Sequence, residues 1–309
     1  MRKAFIDTML EVAGDDQRLN LVVGDLGYSV VEPFAKRFPD RFLNAGVAEQ
    51  NMTGLATGLA LTGERIVFNY SIANFPVMRC LEQIRNDVCH HQANVKIVAV
   101  GGGVAYGAQG FSHHAVEDLA VMRAMPGMVV TAPADAAETR AVTRLACATP
   151  GPWYIRLGKN GEPGLHAGSV EFSRVGASIQ VCDGRDGTLI ATGAVAHEVA
   201  EAARQLARRG VHVRMLSMPF VKPIDHQAIL RAASETPWIV TVEEHNAFGG
   251  LGSAVADVLT QGPLNTRLLR LCYPEFIHET GGQAFLRRQH GLDALGIVDF
   301  VQREAVGNW

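Results

Sequence analysis

A single acid, Glu49, heads the run Glu-Gln-Asn-Met-Thr-Gly-Leu-Ala-Thr-Gly-Leu-Ala-Leu-Thr-Gly, whose small side chains read as a helix able to pack closely on neighbouring backbone. A carboxyl group buried at that helix start loses hydration, the condition under which an acid can share a proton near neutral pH. The alternative is a solvent-facing Glu favoured by the helix dipole. A second candidate is the glycine-rich stretch from Gly101 to Asp118, which ends in Ser112-His113-His114. Its glycines would let backbone approach a ligand, and an imidazole there can exchange a proton at neutral pH. It has no Gly-Lys-Ser/Thr, so it is not a P-loop. Adjacent histidines, here His113-His114 and His90-His91, point apart, and no third ligand is spaced near either pair, so metal binding by this chain is not expected. The 5 cysteines are scattered and odd in number, which fits reduced thiols in packed positions. The run Gly249-Gly250-Leu251-Gly252-Ser253 lacks the spacing and acidic partner of a dinucleotide fingerprint. Glu243, Glu244 and His245 before it read as organisers of a strand end and a subunit contact.

These residues need a frame, and the chain supplies one by alternating short apolar runs with helical patterns. Strands are expected near residues 20–24, 65–70, 95–100, 128–132 and 153–157, with helices near 3–13, 48–62, 74–91, 115–124 and 135–148. A second set has strands near 187–192, 211–217, 237–243 and 266–271, and helices near 195–209, 224–234, 250–261 and 281–290. The pattern predicts an α/β protein of two doubly wound, mostly parallel sheet domains. Leu157 to Gly168 breaks the periodicity with glycine and proline, so the expected division is a domain at 1–158, a linker at 159–174 and a domain at 175–309. In such sheets ligands sit beyond the carboxyl ends of strands, which points to the loops after Val23, Asn69, Val100 and Ile155. The formal charge of −3, without Lys/Arg runs, leaves no footprint for nucleic acid or an anionic membrane. No apolar run is long enough for a membrane span, and Met-Arg-Lys-Ala-Phe-Ile-Asp does not read as a signal peptide, so a cytoplasmic protein acting on small molecules is expected.

Val47-Ala48-Glu49-Gln50 and the small-residue helix after it resemble the cofactor-activating segment of the transketolase and 1-deoxyxylulose-5-phosphate synthase families. The resemblance implies thiamine diphosphate as cofactor, with Glu49 bonding its aminopyrimidine and favouring the imino tautomer that removes the thiazolium carbon proton. Gly24-Asp25-Leu26-Gly27-Tyr28-Ser29 is similar to the family segment in which Asp lies near the thiazolium ring and Ser contacts a sugar phosphate, which implies those roles for Asp25 and Ser29. An ordinary Asx or helix-cap turn uses the same residue types. The stretch from Asn69 to Val88 resembles the segment whose aromatics wrap the aminopyrimidine, implicating Tyr70 and Phe75 in cofactor binding; the alternative is a strand-end Tyr and a core Phe. By the same resemblance His113 falls on the histidine that lines the substrate channel. The phosphate-using relatives carry a basic residue where this chain has Gly101-Gly102, but Arg156 and Lys159 resemble the family's basic residues in the next loop and could bind an anionic substrate. A solvated strand end is their other reading. Leu189-Ile-Ala-Thr-Gly193, Met218-Pro-Phe-Val-Lys-Pro-Ile-Asp225 and Val242 to Ser253 continue the likeness through the second half.

Full-length transketolases carry a preceding domain whose Gly-Asp-Gly signature and downstream Asn hold Mg²⁺ and the cofactor diphosphate. This chain has neither. The resemblance therefore implies the second subunit of a split transketolase, an enzyme moving a two-carbon ketol unit from a ketose to an aldose. A separately encoded diphosphate-binding subunit would supply the Mg²⁺ ligands, most simply in a two-plus-two heterotetramer. Two other readings stay open, the beta subunit of a 2-oxo acid dehydrogenase and a non-catalytic binding subunit that kept the fold.

Overall fold

The computed structural model describes residues 1–159, 161–261 and 266–307. Position 160 of the expected linker and positions 262–265 and 308–309 of the expected second domain lie outside the described residues. In chain order the first half runs α1 (Arg2–Asp15), β1 (Leu19–Val23), α2 (Glu32–Arg37), β2 (Phe42–Asn44), α3 (Glu49–Gly63), β3 (Ile66–Ile72), α4 (Asn74–Met78), α5 (Leu81–Gln83), β4 (Val95–Val100), α6 (Asp118–Ala124), β5 (Val129–Thr131), α7 (Ala136–Ala148) and β6 (Trp153–Leu157). The second half runs β7 (Ile179–Cys182), β8 (Gly187–Thr192), α8 (Ala196–Arg208), β9 (Val213–Ser217), β10 (Phe220–Lys222), α9 (His226–Glu235), β11 (Trp238–Asn246), α10 (Leu251–Leu259), β12 (Arg267–Tyr273), α11 (Gln283–Gln289) and α12 (Ala294–Phe300). Strands β1, β4 and β6 are mostly apolar and buried at every position, Asn20, Lys96 and Arg156 included, as parallel strands covered by helices on both faces must be.

Among the described residues the strands form two sheets, ordered β10-β5-β6-β4-β3-β1-β2 and β12-β11-β8-β9-β7. All pairings are parallel except the edge strands β10 and β7, which run antiparallel. The fold is thus α/β with two doubly wound, mostly parallel sheets. The two halves are interlocked, because β10 comes from the second half of the chain yet pairs with β5 in the first sheet.

Two expectations need correction. The helix read over 74–91 is broken into α4, α5 and a π-helical turn at Ile84–Cys89. At the first break the Arg79 carbonyl accepts from the Gln50 side chain, which ties this segment to α3 and turns Arg79 toward Glu49. Helix α3 is also not enclosed all round. Glu49, Met52, Thr53, Ala56, Thr57 and Ala60 make one buried stripe at helical spacing, whereas a side chain added at Gly54 or Gly58 would meet nothing.

The segment after β6 is tied down at Glu138. Asp135 caps α7 through the Glu138 N–H and accepts from the Leu165 and His166 amides. The Glu138 carboxylate meets His166 Nε2 at 2.8 Å and accepts from Ser217 Oγ at 2.6 Å. One acid therefore joins α7, the linker and β9. The hydrogen bond to Glu138 holds His166 above the ordinary histidine range. A base with a raised folded-state pKa stabilises fully below its unfolded value of about 6.5, and that contribution is lost as pH rises through the folded value. His166→Asn should remove this pH dependence, read as a wild-type-minus-variant difference in urea midpoint between about pH 6 and about pH 9. An unchanged difference across that range contradicts the assignment.

Candidate functional site

Strand β2 ends at Asn44, and the chain turns through Gly46, whose φ of 73° suits glycine, to start α3. Asn44 Oδ1 accepts from the amides of Asp25 and Gly46, and its Nδ2 donates to Asp25 Oδ1, each at 3.0 Å. This one side chain welds the β1 loop to the start of α3. A Cβ on Gly24 would lie 3.8 Å from Glu49 Cγ, so the two loops touch. Glu49 is only 5 % exposed. It is not alone, however, because Arg79 Nη1 lies 3.1 Å from each carboxylate oxygen. Arg79 is 52 % exposed, so it closes the open side of the acid.

From Arg79 a row of contacts leads across the sheet edge. The Arg79 guanidinium lies over the half-buried Phe75 ring, 4.3 Å from its centroid. Phe75 meets the His113 imidazole edge-on at 5.4 Å, and His113 meets Tyr106 at 6.3 Å. Lys159 Nζ then sits 4.9 Å from the Tyr106 centroid. Glu49, Phe75, His113 and Lys159, expected from sequence to share a site, are therefore joined, with Arg79 and Tyr106 as the links that sequence reasoning missed. Arg79 had a signal: it lies four residues after Phe75, one helical turn on. Asn44 had one too, as the residue immediately before Ala-Gly-Val-Ala-Glu.

His113 is half-buried and its Nδ1 lies 3.0 Å from Ser112 Oγ. His114 points inward, is buried, and has its carbonyl bonded by Asn74. Burial pushes the His114 imidazole below the ordinary histidine range. With His113 lining a substrate channel, as the sequence resemblance implies, His113→Ala should slow turnover by on the order of 100-fold, whereas His114→Ala should show in thermal stability and not in selective kinetic loss. If His114→Ala is the kinetically crippled variant, the substrate faces the other imidazole.

Asp25 and Ser29 are exposed on the β1 loop, both with positive φ, at 53° and 62°. The Ser29 amide donates to Glu32 Oε1, and its side chain shares a cleft with Arg2, Lys3 and Tyr28. Arg2 Nε also donates to the Lys159 carbonyl, so Ser29 and Lys159 flank the same arginine.

Tyr70 and Arg156 are placed otherwise than expected. The Tyr70 ring is 1 % exposed and stacked on Phe5 within the core, so it offers no face to a ligand at this edge. Arg156 is 4 % exposed: its Nε lies 2.9 Å from buried Asp118, and Nη2 donates to the carbonyls of Ala115 and Glu244. Its reading as a substrate ligand is corrected, since every direction its guanidinium faces is filled by protein. The glycines before His113 are explained in the same way. A Cβ at Gly102 would fall 2.3 Å from Arg156 Nε, and one at Gly101 2.2 Å from the Tyr106 ring. Glu243 accepts from the first amides of α10, and His245 Nε2 from the Ala120 amide, so both serve contacts within this chain.

Residues 1–162 match the transketolase pyrimidine-binding domain, and residues 176–297 match the transketolase C-terminal domain. The chain belongs to the transketolase family. It is 39% identical over 307 residues to one of the subunits of the apulose-4-phosphate transketolase of Phocaeicola vulgatus, covering 98% of this chain and 97% of that protein. It is 36% identical over 302 residues to a 6-deoxy-6-sulfo-D-fructose transketolase subunit of a Clostridium species, covering 96% and 92%. A solved split-gene transketolase, described as an inactive beta4 tetramer, superposes with a TM-score of 0.88 at 38% identity over 99% of this chain and 97% of that one. This transketolase chain thus carries the pyrimidine-binding and C-terminal domains and is similar over nearly its whole length to subunits of split transketolases. Among its described residues no helix is long and apolar enough to cross a membrane, and no three His, Cys, Asp or Glu side chains are grouped to hold a metal ion.

Proposed function

We propose that this chain is the pyrimidine-facing subunit of a thiamine diphosphate-dependent transketolase, completed by a separately encoded diphosphate-binding subunit in a two-plus-two heterotetramer. The observation that carries the reading is the single row of acid, aromatic ring, imidazole and cation running from Glu49 to Lys159. The donor set fits one end of the cofactor once the exposed Arg79 side chain swings off Glu49 and Phe75: the freed carboxylate can bond a ring nitrogen, and the freed Phe75 face can stack an aminopyrimidine without competing for its nitrogens. Mg²⁺ and the diphosphate fall to the partner in this reading, which the naming of both relatives as transketolase subunits supports. When bound, the cofactor supplies a nucleophilic carbon that adds to a ketone.

In this reading Glu49 holds the proton shared with the pyrimidine, and Arg79 covers the acid until the cofactor takes its place. Asp25 flanks the thiazolium side. His113 exchanges a proton with a hydroxyl of the sugar, and Lys159, Ser29 and Arg2 receive an anionic end of the donor. Both relatives named above are named for ketoses that carry an anionic group, which supports an anionic donor here. The open glycine face of α3 supports a partner seated beside Glu49. Residues 1–158 would then form the reacting half and 175–309 a brace behind it.

The test is co-purification with the diphosphate-binding subunit, followed by transfer assays with ketose donors and aldose acceptors and with 2-oxo acids as competing donors. The chain alone should bind thiamine diphosphate and Mg²⁺ negligibly by calorimetry, and the complex should transfer from ketoses. Tight stoichiometric binding by the chain alone, or turnover of 2-oxo acids alone by the complex, would sink the reading.

A further inference from the structure

The loop that carries His113 owes its position to the second half of the chain. It is closed at its base by a reciprocal pair of bonds, Gly103 N–H to the Ala115 carbonyl at 2.9 Å and Ala115 N–H to the Gly103 carbonyl at 2.8 Å. At that base the Asn246 amide donates to the Val116 carbonyl at 2.9 Å, and Arg156 bridges the carbonyls of Ala115 and Glu244. A Cβ on Gly103 would fall 2.6 Å from that of Glu244, so the loop lies directly on β11. Its other shoulder rests on the approach to α11. The Gly281 amide donates to the Gly107 carbonyl at 3.2 Å, and a Cβ on Gly107 would lie 2.3 Å from Leu286 Cδ1.

What holds α11 against β11 is a buried clamp. Arg287 takes both Glu244 oxygens, Nε to Oε1 at 3.0 Å and Nη2 to Oε2 at 2.8 Å, and Gln283 Nε2 lies 3.0 Å from each. Burial disfavours the Glu244 charge, yet Arg287, Gln283 and Arg156 hold its carboxyl below the ordinary glutamate range. A satisfied buried network of this kind rigidifies its surroundings, and a bidentate arginine adds geometric specificity. The loop between has mainly short helical turns of its own, so its placement depends on these outside walls.

We propose that Glu244 and Arg287 are positioning residues for His113: their clamp fixes α11 on β11, and the two elements together set where the imidazole meets the sugar. The inference deepens the transketolase reading and rests on His113 touching substrate. It gives the C-terminal domain a task in the reaction, although none of its residues in this clamp reaches the Glu49 row.

The experiment uses the full chain and its complex with the partner subunit. Arg287→Lys keeps the charge but loses the fork, while Gly107→Ala pushes the loop off α11 without touching a buried charge. Each should lower kcat/KM for the ketose donor by about 10- to 100-fold, the range expected for a displaced reacting group, and leave exchange of the thiazolium proton unchanged. In the chain alone, amide hydrogen exchange over residues 104–114 should quicken while α3 and β1 stay as protected as before. Unchanged donor kinetics in a folded Gly107→Ala enzyme would overturn the inference, and so would a loss that falls equally on proton exchange. If Arg287→Lys does not fold, Gly107→Ala decides alone. His113→Ala separates the two levels. If it has no effect on donor cleavage, the functional reading fails. If it cripples cleavage while the clamp variants do not, only the positioning role fails.

Discussion

Glu49→Gln should cut ketol transfer by about 100-fold or more in the assembled enzyme, with the fold and the assembly kept. The amide preserves shape and one acceptor but cannot take or return a proton. Its stability cost should be small, because the partner left behind, Arg79, is 52 % exposed and can be rehydrated. The direct readout is exchange of the thiazolium carbon proton in the complex. Exchange at the wild-type rate in the variant would remove Glu49 from its assigned role, whatever happened to turnover. Arg79 offers a second comparison at the same acid, since Arg79→Lys keeps a cation but loses the planar group that lies over Phe75.

The largest effect on stability is expected from Arg156→Met. Asp118 is wholly buried and its Oδ2 accepts from Tyr154 Oη at 2.5 Å, so removing the guanidinium leaves a charge with no nearby cation among its named contacts. Breaking such a pair costs about 3–5 kcal/mol, a large part of a domain's whole stability. Two carbonyls, of Ala115 and Glu244, lose their donor as well. Urea unfolding measures the loss. The double variant Arg156→Met with Asp118→Leu should recover part of it, because replacing a whole buried pair by apolar groups is often near neutral. A single variant as stable as wild type, with only a raised KM, would restore Arg156 to the substrate site.

These two residues mark the boundary between what local pattern and long-range contact contribute. Glu49 was legible because the buried face of α3 repeats at helical spacing within one short segment, and helix geometry alone turns those positions to one side. The parallel strands were legible for a similar local reason, as short, mostly apolar runs between helices. Even the different fates of His113 and His114 follow from adjacent side chains leaving the backbone in different directions. Arg156 and Lys159 were not separable in this way. All of β6 is buried, so the strand has no polar side to betray which cation turns inward. The decision lay with partners far along the chain, including a carbonyl 88 residues away. Tyr70 was likewise settled by Phe5 on another element, and β10 by pairing across halves of the chain. The sequence by itself determined most of the elements and the acid at the head of α3, because these are written in the spacing of neighbours, and its motifs carried the resemblance to the family. Only the tertiary structure decided which charges face a ligand and which hold the protein together, since that depends on what the fold brings to the far side of each strand.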